Sequence, residues 1–298
     1  RDTPLPPEEP AGQNPPAGAI LDYWLAAPAK GPVTLEIRDA AGALARRLTS
    51  EPESRPDAEA YFAKSWINPP APLSRAAGAH RAVWDLHYER PAIIQYAYSI
   101  ATVAGAETPI TPEGPYAPPG VYSVTLAADG KTQRADLTLL QDPRTHVAAA
   151  DFQATLALSR QIGASLATAR RGYAETAAAL DQLAAARPAG DLAARVKSLA
   201  DRLGPPKRGP SFLAASAVLA GIETDLEAAD RAPTEPQRST AARAQAQIET
   251  LWAAWAALRD GELAGVNAAL AAAGQKPVVI PPPDKLVVKP PAGGVELP

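Results

Sequence analysis

The sequence predicts an α+β chain of two domains, an antiparallel β-sandwich followed by an antiparallel α-helical bundle. Three observations predict it. Proline is unevenly spread: of 33 in the 298 residues, 20 precede residue 146, six fall between 146 and 274, and seven lie in the last 24 positions. Alanine, 68 residues in all, dominates the stretch where proline is scarce. Proline breaks helix interiors and alanine is the best helix former, so the front reads as strands and loops and the back as helix. Finally, the apolar period changes from two to between three and four just after Asp142-Pro143-Arg144. The resulting division is a linker at 1–17, a sandwich at 18–142, a helical bundle at 146–273 and a proline-rich tail at 274–298.

The elements follow in order. Residues 1–17 are proline-rich and polar, the composition of an extended arm. In GAILDYWLA, both alternating sets of side chains are fairly apolar, as expected of a strand covered on most of its surface. In PVTLEIRD, Val33, Leu35 and Ile37 alternate with Thr34, Glu36 and Arg38, and Asp39-Ala40-Ala41-Gly42 supplies turn residues before Leu44 to Leu48, predicting a hairpin. Residues 50–79 read as a surface connection with one helical turn around Ala58 to Lys64. Strand character returns at 80–89 with Val83, Trp84, Leu86 and Tyr88. A long excursion from 89 to about 118 holds Tyr96, Tyr98, Tyr116 and five prolines, and loops of that length are uncommon in compact domains unless they have a purpose. Two further strands flank the turn Asp129-Gly130, with Tyr122, Val124 and Leu126 facing one way and Leu137 and Leu139 opposite. Six or seven short strands in about 125 residues have the rhythm of a β-sandwich.

Beyond residue 146, Leu158, Ile162, Leu166, Ala169, Tyr173, Leu180 and Leu183 step by three and four, with Thr176 in the one remaining slot. Pro188 and Gly190 end this helix. Leu192, Val196, Leu199 and Leu203 mark a second, Phe212, Ala215, Leu219, Ile222 and Leu226 a third, and Ala244, Ile248, Leu251, Trp255 and Leu258 a fourth that runs on past Asp260-Gly261 through Leu263, Val266 and Leu270. Short proline or glycine breaks favour antiparallel neighbours. In the tail, residues 278–280 and 286–288 are apolar triplets suited to docking as strands.

Composition excludes several functions. With 46% hydrophobic residues and a net charge of −3, the chain is neither a disordered acidic tail nor a basic nucleic-acid binder. No apolar run approaches the roughly 18–20 residues of a bilayer span. Zero cysteine excludes disulfides and thiolate chemistry, and zero methionine leads us to expect a processed or excised piece, with any signal peptide outside it.

Reactive residues are sparse. His80 and His87 flank the carboxylate of Asp85 in sequence. A spacing of two puts Asp85 and His87 on one strand face, with His80 on the other, and two ligands are too few for a metal site, so no metal or other cofactor is assigned. Tyr88, Tyr96, Tyr98 and Tyr116 gather around the long loop, where rings with polar tips serve either to anchor the loop to its own or a neighbouring domain or to stack on sugars. Trp252 and Trp255 project from one side of the last long helix, as core or as a partner-binding stripe. Asp57, Glu59, Glu223, Asp225 and Glu227 carry no distinguishing spacing, and no GxSxG, phosphate-binding glycine loop or HExxH occurs, so no catalytic residue is assigned.

Three segments together, VTLEIRDAAGALAR (33–46), GAHRAVWDLHYERP (78–91) and GPYAPPGVYSVTLAADGKTQRADLTLLQDPR (114–144), resemble the C-terminal region of large exported bacterial proteins with sortilin-like or BNR-repeat β-propellers, often labelled glycosyl hydrolases. The first and last also resemble the Ig-like domain of flagellar hook-capping proteins, and the ending VNAALAAAGQKPVVIPPP is similar to that of the propeller family. The 89–118 loop departs from the family in lacking its glycine and tryptophan run. The resemblance implies an Ig-like sandwich, an upstream β-propeller in the same polypeptide as the partner, an exported location, and any hydrolysis seated in the propeller, with no catalytic residue carried onto this chain. It implies a non-catalytic structural or interaction module; the alternatives are a carbohydrate-binding module using the loop tyrosines and part of a glycoside hydrolase.

Overall fold

A computed structural model describes residues 12, 15–52, 58–59, 62–98, 108–204 and 210–289. Most of the expected N-terminal linker and the end of the tail lie outside the described residues. The chain is mixed α/β and divides into two compact units, one of Arg1–Arg90, Tyr96–Leu156 and Asp230–Ala232, the other of Pro91–Gln95, Ala157–Ala229 and Pro233–Pro298.

The first unit carries the strands β1 (Ala19–Leu25), β2 (Thr34–Arg38), β3 (Leu44–Thr49), β4 (Ala58–Glu59), β5 (Gly78–Trp84), β6 (Tyr96–Tyr98), β7 (Ile110–Thr111), β8 (Gly120–Ala128) and β9 (Lys131–Leu139). Three sheets result: β1-β5, β3-β2-β8-β9 and β4-β6-β7. The first two are antiparallel throughout, whereas β4 and β6 run parallel. Turn chemistry fixes the main register. Asp39 Oδ1 accepts from the amides of Ala41 and Ala43 at 3.0 and 2.9 Å while Gly42 takes φ +81°, closing β2 onto β3. Asp129 and Gly130 both have positive φ, +47° and +76°, the requirement of the tight turn that pairs Ala128 with Lys131.

Alternation then decides which side chains go inside. Leu35 and Ile37 of β2, Tyr122 and Val124 of β8, Tyr23 and Leu25 of β1, and Ala82 and Trp84 of β5 join one hydrophobic cluster. Trp84 meets Tyr122 edge-on, with ring centroids 5.4 Å apart. Two expectations are corrected. β1 is not covered on both faces: Ile20 is 41% and Trp24 66% exposed, because β5 gives it one neighbour and the shared core takes only one side. The helical turn expected at Ala58 to Lys64 is replaced by β4 and a 3-10 turn at Lys64–Trp66, since pairing with β6 claims Ala58 and Glu59.

The helices are α1 (Ala149–Ala185), whose first two turns belong to the first unit, α2 (Gly190–Leu203), α3 (Phe212–Glu227), α4 (Glu235–Ala257) and α5 (Ala264–Ala272). Ser211 caps α3 by accepting from the Ala214 amide, and Thr234 and Gln237 form a reciprocal capping box at α4. Between α4 and α5 the chain does not break at Asp260-Gly261: a π turn at Leu258–Leu263 carries it through, and Leu263, Val266 and Leu270 stay on the buried side. Gly172 lets α3 approach α1, for a Cβ there would meet the Phe212 ring at 2.4 Å.

The described part of the tail, to residue 289, docks without forming strands. Val278 is buried among Leu183, Leu199 and Leu270. Asn267 donates to its carbonyl at 2.9 Å and accepts from its amide at 2.8 Å, and Gln182 does the same for Val279 at 2.8 and 2.9 Å. Two side-chain amides thus supply the donor and acceptor that a neighbouring strand would offer. No helix among the described residues is long and apolar enough to cross a membrane.

Candidate functional site

β5 ends at Trp84, and the next four residues build a cluster of ionisable groups. Leu86 adopts φ +64°, Asp85 Oδ1 accepts from the His87 amide at 3.1 Å, and the Trp84 indole donates to the His87 carbonyl at 2.8 Å. Strand alternation therefore stops before Asp85, correcting the expected strand at 80–89. A second segment is laid alongside: Tyr88 N donates to Pro115 O at 2.9 Å, Ala117 N to Leu86 O at 2.8 Å, and His87 bridges Tyr116. Only glycine fits at 114, where a Cβ would lie 2.0 Å from the Tyr88 carbonyl oxygen. That close approach brings Glu113 to the imidazole.

His87 is buried, 5% exposed, with its ring 4.0 Å from the Tyr116 ring. Its Nδ1 lies 3.8 Å from Asp85 Oδ2 and its Nε2 3.8 Å from Glu113 Oε2. These are ion-pair distances, too long for hydrogen bonds of good geometry. The Asp85 and Glu113 side chains remain partly open to solvent, at 42% and 24%. Burial acts to raise the Asp85 pKa, but the interactions with the His87 ring and amide and the charges of Arg46 and His87 outweigh it and hold the carboxyl below its ordinary value. One donor atom from each of Asp85, His87 and Glu113 lies within 4.8 Å of the others, a set suited to a cation or to a protonated imidazole held between two carboxylates. His80 is engaged elsewhere, its Nε2 2.7 Å from the Ala76 carbonyl.

The loop tyrosines do not form one exposed surface. Tyr88 and Tyr98 are buried, Tyr96 is half-buried, and Tyr116 is 50% exposed. The Tyr88 hydroxyl donates to Asp39 at 3.1 Å, and burial raises its pKa. Trp255 is 2% exposed, donating to Glu175 Oε2 at 2.7 Å, while half-buried Trp252 has the Arg171 guanidinium 5.0 Å from its ring centroid. Arg171 also donates to Glu175 Oε1 at 2.7 Å, with Arg259 3.6 Å from Oε2, so Glu175 ties α1 to α4.

Glu223 is the other buried carboxylate among the described residues, 1% exposed on α3. Neither oxygen accepts a hydrogen bond among the described residues. Burial pushes its pKa up to about 7, and Ser159 pulls it the other way. A sequence signal existed. Ser216 and Glu223 are seven apart and Glu223 follows Leu219 by four, which places both polar residues within the α3 stripe. Asp57 lies outside the described residues. Glu113 carried no sequence signal, standing 26 positions from His87 in a proline-rich loop. No family model, curated protein or solved structure matches the chain.

Proposed function

We propose that this chain is a non-catalytic structural and interaction module of an exported bacterial protein with a sortilin-like or BNR-repeat β-propeller, made of an Ig-like sandwich followed by an antiparallel helical bundle. One observation carries the reading. The three segments of the resemblance map onto β2 and β3, onto β5 with its closing turn, and onto β8 and β9, the strands that supply most of the first unit's core. The non-catalytic character is supported by the work that buried polar groups perform: the Trp255 indole ties α4 to Glu175 of α1, and the Trp84 indole and the Tyr122 hydroxyl fix the backbone locally at His87 and Pro118. The outward side of β1, where Ile20 and Trp24 flank the Asp22–Arg81 ion pair, is the surface we assign to a neighbouring domain, since an exposed tryptophan beside apolar side chains is an interface signature. The helical bundle serves as a spacer or assembly surface. Sequencing the gene upstream of Arg1 tests the assignment. Propeller repeats in the same reading frame are expected; an unrelated enzyme domain there would overturn it.

A further inference from the structure

We propose that Asp85, His87 and Glu113 form a binding site for one divalent metal ion of the zinc class, which fastens the segment around Glu113 to the turn after β5. The donors come from two segments, and each is placed by backbone rather than by chance of surface rotamers. His87 is fixed by the bond from the Trp84 indole to its carbonyl, by the bond from its own amide to Asp85, and by the Tyr116 ring. Glu113 is brought in by the glycine beside it, whose missing side chain allows contact with the Tyr88 carbonyl.

Distances fit an ion after small rotations. Donors held about 2.0–2.1 Å from one metal centre stand about 3.0–3.4 Å apart; a single ring nitrogen of His87 would bind the ion, so one carboxylate starts 3.8 Å from that nitrogen, and one donor atom from each residue lies within 4.8 Å of the others. The adjustment falls on the two side chains that are free to make it. Asp85 and Glu113 are partly exposed, while the imidazole is buried and stationary. Two carboxylates and a neutral imidazole balance a divalent charge. A mixed nitrogen and oxygen set suits zinc, cobalt or manganese better than calcium, which prefers oxygen alone. Arg46 opposes the cation, for its charge acts on Asp85, but its guanidinium also lies 3.6 Å from Glu89. Solvent reaches the outer side, so water completes the coordination.

The test is titration of the full chain, freed of metal with a chelator, with zinc chloride, cobalt chloride and calcium chloride. Heat of binding, the visible absorption of cobalt and the melting temperature are followed together. Expected are one zinc or cobalt ion per chain, nitrogen and oxygen ligation in the cobalt spectrum, a raised melting temperature, and no calcium binding. Loss of an outer partner alone weakens metal sites by roughly 10–100-fold, so Asp85→Asn and Glu113→Gln should each weaken binding by roughly tenfold or more. Both variants are suited to folding, because the asparagine oxygen can still accept from the His87 amide and Glu113 is partly exposed; circular dichroism verifies this. No binding up to about 1 mM ion, or unchanged affinity in Glu113→Gln, overturns the site, the latter by assigning the ion to His80 or His146. Calcium binding with zinc excluded overturns the chemical class.

Discussion

Glu223 shows how one side chain ties the helical unit to pH. Its folded pKa, about 7, stands above the ordinary 4.5 because burial penalises the charged form. Below pH 4.5 the group is neutral in both folded and unfolded chains and costs nothing through ionisation. As pH rises through 7 the unfolded chain ionises first, so stability falls by up to about 3 kcal/mol and then levels. Glu223→Gln should therefore flatten the decline, and urea unfolding at pH 5 and pH 8 reads the slope directly. An unchanged slope would place the titrating group elsewhere. Gly114 makes the opposite kind of demand, on space. Gly114→Ala must push the segment away from the Tyr88 carbonyl, at a cost of roughly 1–3 kcal/mol seen in thermal melts. At this scale the sequence was informative only where period applied. The spacing of two pairs Asp85 with His87, and they do meet, though through a left-handed Leu86 rather than a strand face. Glu113 was invisible, since nothing local relates it to a histidine 26 positions earlier.

Elements were far more legible, because period and turn chemistry are local. The alternation of Leu35 and Ile37, the Asp129-Gly130 turn, and the third-helix stripe from Phe212 to Leu226 all appear in place. Failures occurred where tertiary pairing overrides local preference. Ala58 and Glu59 pair in parallel with Tyr96 and Ala97, a long-range choice that helix propensity cannot register. The tail triplet at 278–280 reads as a strand and docks instead through Asn267 and Gln182. Asn267→Ala removes both bonds to Val278 and should cost about 1–3 kcal/mol, leaving the Val278 amide buried without its acceptor. Hydrogen exchange checks it: faster exchange at Val278 with α4 unaffected is expected, and unchanged protection would mean that packing alone holds the tail.

For the whole molecule, the switch of period near residue 143 marks where strands give way to helices, but the two units are not contiguous in sequence. Pro91–Gln95 joins the helical unit, where Ile93 and Ile94 are buried, and Asp230–Ala232 joins the strand unit, where the Arg231 carbonyl accepts from Thr155. No linear reading of composition assigns five residues inside a long loop to the other unit. The excursion from 89 to 118 thus has several tasks: it places the buried Ile93 and Ile94 in the second unit, supplies β6 and β7, and carries Glu113 to His87. These are fold-building roles, in keeping with the module proposed above. The most direct test is to incubate the purified chain with a broad panel of aryl glycosides and bacterial and plant polysaccharides. The account predicts no turnover, with or without added zinc; hydrolysis that disappears on a single carboxylate substitution in this chain would contradict it.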